Sequence, residues 1–496
     1  MQDGSICLHC GRSQTPPRDA SHRSLEEEID FINRESERLD DHIRQLYNQK
    51  ARLRRRLNDI QSTTRILPSE TLSIIFLHGC SLHQRRIGIG PLIRFGAICS
   101  LWRQVAWSTP ALWSTIETDI RTKTAGSNLA ILDLCLRNAG MMPLSLDLRF
   151  DEEDLLSWGT TPKVVQLIVE LVSKRENAEK LRFLRLQDPP VDWIRLLWAN
   201  GGLDNLRVFA LDGTTSVTDL DQGFTLPNMP RVHRLVLSNM WYHVIIPSAQ
   251  TITTLELSMM STEISVGIFI QCHNLVECHY SSDNQTQSDN DTSLDLPSPI
   301  TFAHLTSLTW HFSAKEANFS LFRHLHLPVL QRLRLACLYI GPIPPEPFEL
   351  LQSFFSRLPV SLSTLELDSW SCSRDDTHRL LPQLPGSIKT LSLHDCFGSF
   401  ISHLLHELTP EQDERKNFPL LERLFISNAL PRACLSLVTG MLYKRGDGVD
   451  AQFELEIPRP RFRPIEGRPD VVGGLEALAR DRQIKLKYFE LSPKSK

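Results

Sequence analysis

The feature that most constrains this chain is a six-residue pattern, LxxLxL with apolar substitutions, which starts again every 20 to 33 residues over much of the sequence. We expect the first, fourth and sixth residues of each copy to turn inward and the residues between them to turn outward. One such unit cannot bury its apolar face alone, whereas stacked neighbours form a continuous core with parallel strands. The pattern therefore predicts an α/β solenoid. Its copies are LRFLRL (181–186), LRVFAL (206–211), VHRLVL (232–237), ITTLEL (252–257), LVECHY (275–280), LTSLTW (305–310), LQRLRL (330–335), LSTLEL (362–367), IKTLSL (388–393) and LERLFI (421–426).

The solenoid is predicted over residues 119–496. PLSLDL (143–148) supplies an earlier strand, and TPKVVQLIVELVSKRE (161–176) has the apolar spacing of a connecting helix with a proline near its first position. The polar stretch 281–299 predicts a mobile loop on the rim. LEALARDRQIKLKYFEL, near the C-terminus, predicts a capping unit. The pattern and its spacing resemble leucine-rich repeats, which implies a parallel sheet on a concave face.

Residues 24–63 carry a second periodic pattern, in which seam residues alternate at spacings of four and three. No Gly or Pro interrupts this pattern between Ser24 and Ser62. A heptad seam sustained over about five heptads predicts a long helix of the coiled-coil type. Two interpretations remain open: residues 24–62 form a homodimer, or the helix folds back on its own chain. The seam consists of Leu25, Ile29, Ile32, Ser36, Leu39, Ile43, Leu46, Lys50, Leu53, Leu57 and Ile60.

Residues 1–23 are polar and rich in Ser, Pro and Arg, which predicts a disordered tail. Within this tail, Cys7 and Cys10 form a lone CxxC. Because a structural zinc ion requires four ligands, the pair is either two free thiols or half of a site that cysteines of another chain complete. We therefore assign no cofactor and no metal to this chain.

Composition narrows the class of function. A net charge of -4 argues against a nucleic-acid partner, because nucleic-acid-binding domains are strongly basic. No apolar run approaches the roughly 20 residues that span a bilayer, and the N-terminus has no apolar signal core, so we expect no membrane partner. The 11 cysteines are scattered through apolar segments, as is typical of reduced thiols. The expected location is cytoplasmic, nuclear or both.

Residues 64–118 form a short segment rich in large apolar side chains. Leu67-Pro68-Ser69-Glu70 suits a helix start, since proline fits the first helical position and glutamate fits the positive end of the helix dipole. A second helix, apolar on two faces, follows Pro91 and ends at Thr109-Pro110. About 50 residues enclose only a small core, so one face needs a partner. That partner is either another protein or the first repeats of the solenoid.

The order of residues in this segment, LPSETLSIIF followed by AICSLWRQVAWSTPALW, resembles an F-box. The full order of coiled coil, F-box and irregular leucine-rich repeats resembles a large family of fungal F-box-like proteins. One departure is the connection from Leu77 to Pro91, which is longer than the family's and carries basic residues. The residues that match the F-box pattern are Leu67, Pro68, Glu70, Leu72, Ile75, Phe76, Ile98, Cys99, Trp102, Arg103, Ala106, Leu112 and Trp113.

This resemblance implies a function. F-box segments dock on the adaptor subunit of cullin–RING ubiquitin ligases, and the repeats that follow capture the protein to be ubiquitinated. The chain would then be the substrate-recognition subunit of an SCF-type ligase, with that adaptor subunit and a protein substrate as its partners. Carried over onto this sequence, the adaptor-binding or F-box-core residues are Leu67, Pro68, Ile75, Phe76, Leu101 and Trp102.

Catalytic motifs are missing from the sequence: it contains no GxxxxGK[ST], GxGxxG, HExxH or GxSxG, so we expect no enzyme. His394-Asp395-Cys396 puts a base beside a nucleophile, but adjacent strand residues point to opposite faces. Asp212 and His394 are also expected on the outward face. The alternative to a ligase subunit is a non-enzymatic scaffold, dimeric through its coil, in which the F-box-like segment caps the solenoid.

Substrate capture is expected at the outward positions of the strands, where mixed charge favours a protein of patterned charge over a polyanion. The candidate substrate-binding residues are Arg185, Arg234, Glu256, Glu277, His279, His311, Arg332, Arg334, Glu366, Asp368, Arg423 and Phe425.

Overall fold

A computed structural model describes most of the chain, and its contacts divide the described residues into two compact units. The first unit comprises residues 25–81 and 90–109, and the second begins at Pro110. The predicted tail with Cys7 and Cys10, and most of the loop 281–299, lie outside the described residues. The described ranges are 25–61, 66–81, 90–121, 124–150, 163–199, 203–213, 223–281, 299–312, 321–337, 345–409, 418–428, 430–445, 453–459 and 471–490.

The first helix of the first unit, α1, runs over Leu25–Gln61. Its 37 residues span roughly 55 Å at 1.5 Å per residue. Three glutamates, Glu26, Glu27 and Glu28, occupy the first turn, where they stabilise the positive end of the helix dipole. The long helix expected from the heptad pattern is therefore present. The described chain leaves its nine apolar seam residues between 50% and 79% exposed.

Three shorter helices complete the first unit: α2 is Ser69–Ser81, α3 is Gly90–Ile98 and α4 is Ser100–Trp107. We refer to α2, α3 and α4 together as the three-helix segment. The sequence predicted one continuous helix where α3 and α4 lie. Cys99 breaks that helix, because its backbone is extended and its Sγ accepts a hydrogen bond from the Trp102 N–H at 3.4 Å. Cys99 is thus the N-cap of α4.

The second unit contains a sheet of 14 strands that are parallel wherever they pair and follow the order of the chain. Strands that pair only with their sequence neighbours in the sheet are the hallmark of a solenoid. The strands are β1 Thr115–Ile120, β2 Leu144–Phe150, β3 Leu181–Gln187, β4 Val208–Asp212, β6 Arg234–Ser238, β8 Thr254–Ser258, β9 Glu277–Ser281, β11 Ser307–Phe312, β13 Arg332–Cys337, β14 Thr364–Asp368, β15 Thr390–His394, β16 Arg423–Ile426, β17 Glu454–Pro458 and β18 Lys485–Phe489. Two small parallel pairs lie outside it, β5 Phe224–Thr225 with β7 Val244–Ile245 and β10 Ile300–Thr301 with β12 Leu325–His326.

The LxxLxL pattern is explained by the burial of this sheet. In ITTLEL, for example, Ile252, Leu255 and Leu257 are fully buried, and Glu256 lies between them on the outward face. The predicted boundary at residue 119 needs correction, since β1 starts at Thr115 and pairs along its whole length with β2. The sheet also contains β17, a strand that no copy of the LxxLxL pattern predicted.

Helices return the chain between strands on the buried side of the repeats. The predicted helix 161–176 is present as α6, which runs over Lys163–Ser173. The capping unit contains β18 and α14, the helix Val471–Asp481. Short 3-10 turns lie at Pro110–Trp113, Ala249–Thr251 and Leu381–Gln383. The helices are α5 Ala125–Asn138, α6 Lys163–Ser173, α7 Arg175–Ala178, α8 Val191–Ala199, α9 Thr262–Phe269, α10 Pro345–Ser356, α11 Arg374–Leu380, α12 Gly398–Glu407, α13 Arg432–Arg445 and α14 Val471–Asp481.

A recurring turn leaves the strands at one end of the sheet. The residue directly after each of several strands has a positive φ, as at Asn239 (φ 54) and Met259 (φ 54). Its N–H donates to the carbonyl at the end of the next strand: Asn239 to Ser258 at 3.0 Å and Met259 to Ser281 at 3.1 Å. The left-handed residue thus adds one more backbone hydrogen bond between neighbouring strands, directly after the end of the strand. Asp188, Ser369 and Asp395 adopt the same conformation.

Candidate protein-binding surface

The 14-stranded sheet of the second unit has a continuous outward face, and the strand register aligns its side chains from strand to strand. We call the central line of outward residues the middle row. Its members change sign repeatedly, and it contains short apolar and aromatic stretches. The middle row is Glu117, Asp147, Arg185, Ala210, Val236, Glu256, His279, Thr309, Arg334, Glu366, Ser392, Phe425, Glu456 and Lys487.

An acidic cluster with two arginines occupies β1 to β4. Arg149 lies 3.9 Å from Glu117 and 3.7 Å from Asp119, and its Nε donates to the Gln187 side chain at 2.7 Å. Burial raises the pKa of Asp147, an effect that the positive charge of Arg185 opposes. Of this cluster the sequence picked out only Arg185 and Asp212. PLSLDL contained the signal for Asp147, because Asp147 occupies an outward position of that strand.

Burial also raises the pKa of Asp212, with Arg185 and then Arg149 lowering it. These carboxylates thus crowd around two guanidinium groups in a half-buried setting. The cluster offers an oxygen-rich surface suited to cationic side chains of a partner.

An apolar patch follows along β3 to β6. Phe183, Val208 and Val236 lie half-buried on the outward face, and Ala210 is buried beside them. Sequence reasoning missed this patch, because apart from Phe425 it selected charged and polar residues as candidates. Its signal was nevertheless present, since these apolar residues stand at the outward positions of LRFLRL, LRVFAL and VHRLVL.

The centre of the face carries a pair of histidines. The rings of His279 and His311 pack edge to face with their centroids 5.9 Å apart. Burial lowers the pKa of His311 to about 4, with further lowering by His279 and Arg334 and an opposing effect of Asp368. Burial also lowers the pKa of His279. The pair is therefore neutral near pH 7 and offers uncharged hydrogen-bonding groups.

Arg334 links neighbouring strands beside this pair. Its guanidinium lies 2.8 Å from Asp368 and 3.9 Å from Glu366. His394 approaches the same Glu366 at 3.9 Å. The structure therefore brings three candidate residues together with His394, which was also expected on the outward face, although they are separated by up to 60 positions in the chain. Nearer the N-terminus, Arg234 pairs with Glu256 at 2.5 Å. The sequence selected both residues as outward candidates but did not predict that they pair.

The C-terminal end of the face combines aromatic rings with ion pairs. Phe425 stacks on Phe489 with centroids 5.4 Å apart and planes 12° from parallel, and His394 lies 5.0 Å from Phe425. Arg423 contacts Glu456 at 2.7 Å. Sequence reasoning selected Phe425 but missed Phe489, which belongs to the capping unit. Two remaining candidates, Glu277 and Arg332, lie exposed at the first outward position of their strands.

The three-helix segment has an aromatic core. Phe76 is fully buried and stacks on Phe95 at 4.8 Å, and Trp102 packs against both rings at 4.9 and 6.1 Å. The sequence left open whether Phe76 contacts an adaptor or belongs to the core of the segment. Its fully buried ring places Phe76 in the core. Leu72, Val105 and Ala106 are buried around it.

The other candidates of this segment keep at least part of their side chains accessible to water. Ile75 is 45% exposed, Pro68 is exposed, and Leu67, Leu101 and Trp102 are half-buried. Five large apolar residues of the segment remain between 38% and 55% exposed. These are Ile74, Ile75, Ile93, Ile98 and Trp107.

Cys396 is buried, its Sγ lies 3.4 Å from the Leu367 carbonyl, and burial raises its pKa to about 12, so it is no nucleophile. Within the described ranges, no group of three or more His, Cys, Asp or Glu residues could hold a metal ion. None of the described helices is both long and apolar enough to cross a membrane.

Comparison with known proteins finds similarity among solved structures. No family model matches the chain, and no curated protein matches it. Among solved structures, the leucine-rich repeat-containing protein LegL7 from Legionella pneumophila is similar over 75% of this chain and 90% of its own, at 10% identity and a TM-score of 0.29. The repeat architecture described above rests on the strand order and burial of this chain itself.

Proposed function

We propose that this chain is a substrate-recognition subunit of a cullin–RING ubiquitin ligase, acting in the cytoplasm, the nucleus or both. The three-helix segment would bind the adaptor subunit, and the outward face of the sheet would bind the protein to be ubiquitinated. The observation that carries the proposal is the exposed apolar surface of the three-helix segment, led by Ile75, in a stretch whose sequence resembles an F-box.

Exposure of this kind supports a binding function on physical grounds. Burying an apolar side chain stabilises a complex by roughly 25 cal/mol per Å² of apolar surface removed from water. Ile74 and Ile75 sit on α2, and Ile93 and Ile98 sit on α3, so both helices contribute. The buried core around Phe76 and Trp102 holds these helices together while the isoleucines remain available.

The outward face suits a protein partner. The outward face carries the acidic cluster, the apolar patch and the neutral histidine pair within one continuous sheet. Alternation of charge along the row favours a partner whose charges alternate to match, since unmatched like charges are costly. Catalysis would belong to other subunits, and this chain would act by holding its substrate near activated ubiquitin, which raises the effective concentration.

The test is co-purification of the tagged full-length chain with the ligase's adaptor subunit. The wild-type chain is expected to co-purify with the adaptor. The amount of adaptor that co-purifies with Ile75→Lys is expected to fall at least about tenfold, because burying a lysine ammonium group in an apolar contact is costly. Val360→Lys is the matched control, since Val360 is an exposed apolar residue of the second unit. If the wild-type chain does not bind the adaptor, the proposal is wrong and the alternative function, a non-enzymatic scaffold that dimerises through α1, takes its place. The exposed seam of α1 favours that alternative.

A further inference from the structure

The heptad seam of α1 lacks a covering surface within the described chain. Counting from the spacings, the a positions are Ile29, Ser36, Ile43, Lys50 and Leu57, and the d positions are Leu25, Ile32, Leu39, Leu46, Leu53 and Ile60. Most of these residues are apolar and at least half exposed. A seam of this length is what a second helix covers in a coiled coil. The charges of α1 identify the orientation of that second helix.

Charge is strongly segregated along α1. Residues 25–42 contain eight acidic and two basic residues, whereas residues 43–61 contain six basic and one acidic residue. A parallel dimer would align acidic half with acidic half and basic half with basic half. An antiparallel dimer places each acidic half against a basic half. Long-range electrostatics therefore favours the antiparallel orientation.

The flanking e and g positions distinguish the two orientations in detail. In a parallel dimer, each g residue faces the e residue five positions further along the second copy. This places Glu35 against Asp40, two like charges, and no g residue of α1 then faces an e residue of opposite charge. In an antiparallel dimer, g faces g and e faces e. With Ile43 opposite Leu39 of the second copy, Glu28 faces Arg56 and Glu26 faces Arg54. Each of these pairs occurs twice, because the dimer has a two-fold axis.

Lys50, the charged residue of the seam, also favours the antiparallel orientation. A parallel dimer stacks Lys50 on Lys50 of the second copy, whereas the antiparallel register places Lys50 opposite Ile32. A lysine beside an apolar residue can extend its aliphatic stem along the seam and keep its ammonium group in water. Asp40 near the two-fold axis faces its own copy, the one unfavourable e or g contact of this register.

From these observations we infer that α1 binds a second copy of this chain as an antiparallel coiled coil, centred near Asp41, with Glu26 and Glu28 paired to Arg54 and Arg56 of the other copy. This register covers the seam from Leu25 to Leu57. The two chains leave the coiled coil at opposite ends. The inference is independent of the proposed ligase function, because it uses only α1.

Crosslinking of the full-length chain tests the orientation. In a background with Cys7, Cys10 and Cys80 changed to Ser, a Glu28→Cys chain is mixed with an Arg56→Cys chain and treated with a short bifunctional maleimide. The mixture is expected to give a crosslinked dimer, and each chain alone is expected to give less than about a tenth as much, since only the antiparallel register brings positions 28 and 56 together. Ser36→Cys is the reporter for the parallel orientation, in which it faces itself.

Charge reversal tests the register. Glu26→Arg with Glu28→Arg is expected to weaken dimerisation at least about tenfold, measured by sedimentation, because four attractive pairs become repulsive. Adding Arg54→Glu and Arg56→Glu to the same chain is expected to restore it. A monomeric wild-type chain, a trimer, efficient crosslinking of Ser36→Cys alone, or no recovery in the fourfold variant would each overturn the inference.

Discussion

Arg334 donates to Asp368 at 2.8 Å across neighbouring strands of the sheet, so two residues 34 positions apart form one half-buried ion pair. The Arg334 guanidinium is also 3.9 Å from Glu366. A half-buried pair of this kind depends on both partners, because removal of one leaves the other charge poorly solvated.

Asp368→Asn should therefore destabilise the second unit by about 1–2 kcal/mol, measured as a lower urea midpoint. The effect should be smaller than for a deeply buried pair, since about a third of the Arg334 side chain is accessible to water. Asp204→Asn is the control, as Asp204 is exposed. Equal midpoints for both variants would contradict the role given to this pair.

Phe76→Ala should unfold the three-helix segment locally. Deleting a fully buried aromatic ring from a core costs about 3–5 kcal/mol, and Phe76 stacks on Phe95 and also packs against Trp102. The expected result is faster hydrogen exchange of backbone amides in α2 and α4. Ile75→Ala, one residue away but exposed, should leave exchange nearly unchanged. Similar exchange in the two variants would contradict the assignment of Phe76 to the core.

Gly96→Ala should also destabilise this segment. A methyl group at position 96 would lie 2.4 Å from Cζ3 of Trp107, so the indole ring must shift. Overpacking of this kind costs about 1–3 kcal/mol. Gly474→Ala is the matched control, because Gly474 is also helical and has open space around it. That control should be neutral or stabilising, since alanine favours helix over glycine by about 1 kcal/mol. Thermal unfolding of both variants measures the difference.

Met259 is expected to be replaceable with a gain in stability. It has a φ of 54°, a conformation that asparagine tolerates far better than methionine. Met259→Asn should stabilise the second unit by about 0.5–1 kcal/mol. The reciprocal variant, Asn239→Met, places methionine in the equivalent turn and should lower stability by a similar amount. Urea unfolding that shifts both variants in the same direction would disprove the turn argument.

The second unit should lose stability as the pH falls from about 6.5 to about 4. His311 has a folded-state pKa of about 4, below its ordinary 6.5, so the unfolded chain binds the proton first. Its contribution is fully present above pH 6.5 and is lost on acidification. In His311→Gln, the decrease in the free energy of unfolding over this pH range should be smaller than in wild type by about 1–2 kcal/mol. Urea midpoints at several pH values measure the difference. His273→Gln, at an exposed position, should retain the wild-type slope.

Where sequence and structure agree, local periodicity is the reason. Spacings of four and three in Leu25–Ile60 require one helix, and the repeated LxxLxL requires strands that share a core, so the long helix and the parallel sheet were both predictable. The outward candidates followed from the same alternation. Arg234 and Glu256, chosen from separate repeats, meet because equivalent residues of neighbouring strands fall into register.

The sequence by itself determined the element types, the repeat order and which face of each strand is apolar. Only the tertiary structure decided that Phe76 is sealed while Ile75 is exposed, that Cys99 divides one expected helix into two, and that Asp147 joins Arg185 in a charge cluster. The physical reason is that periodicity fixes the direction of a side chain relative to its own helix or strand. Whether a neighbouring element covers that side chain depends on residues far away in the chain, which local spacing does not encode.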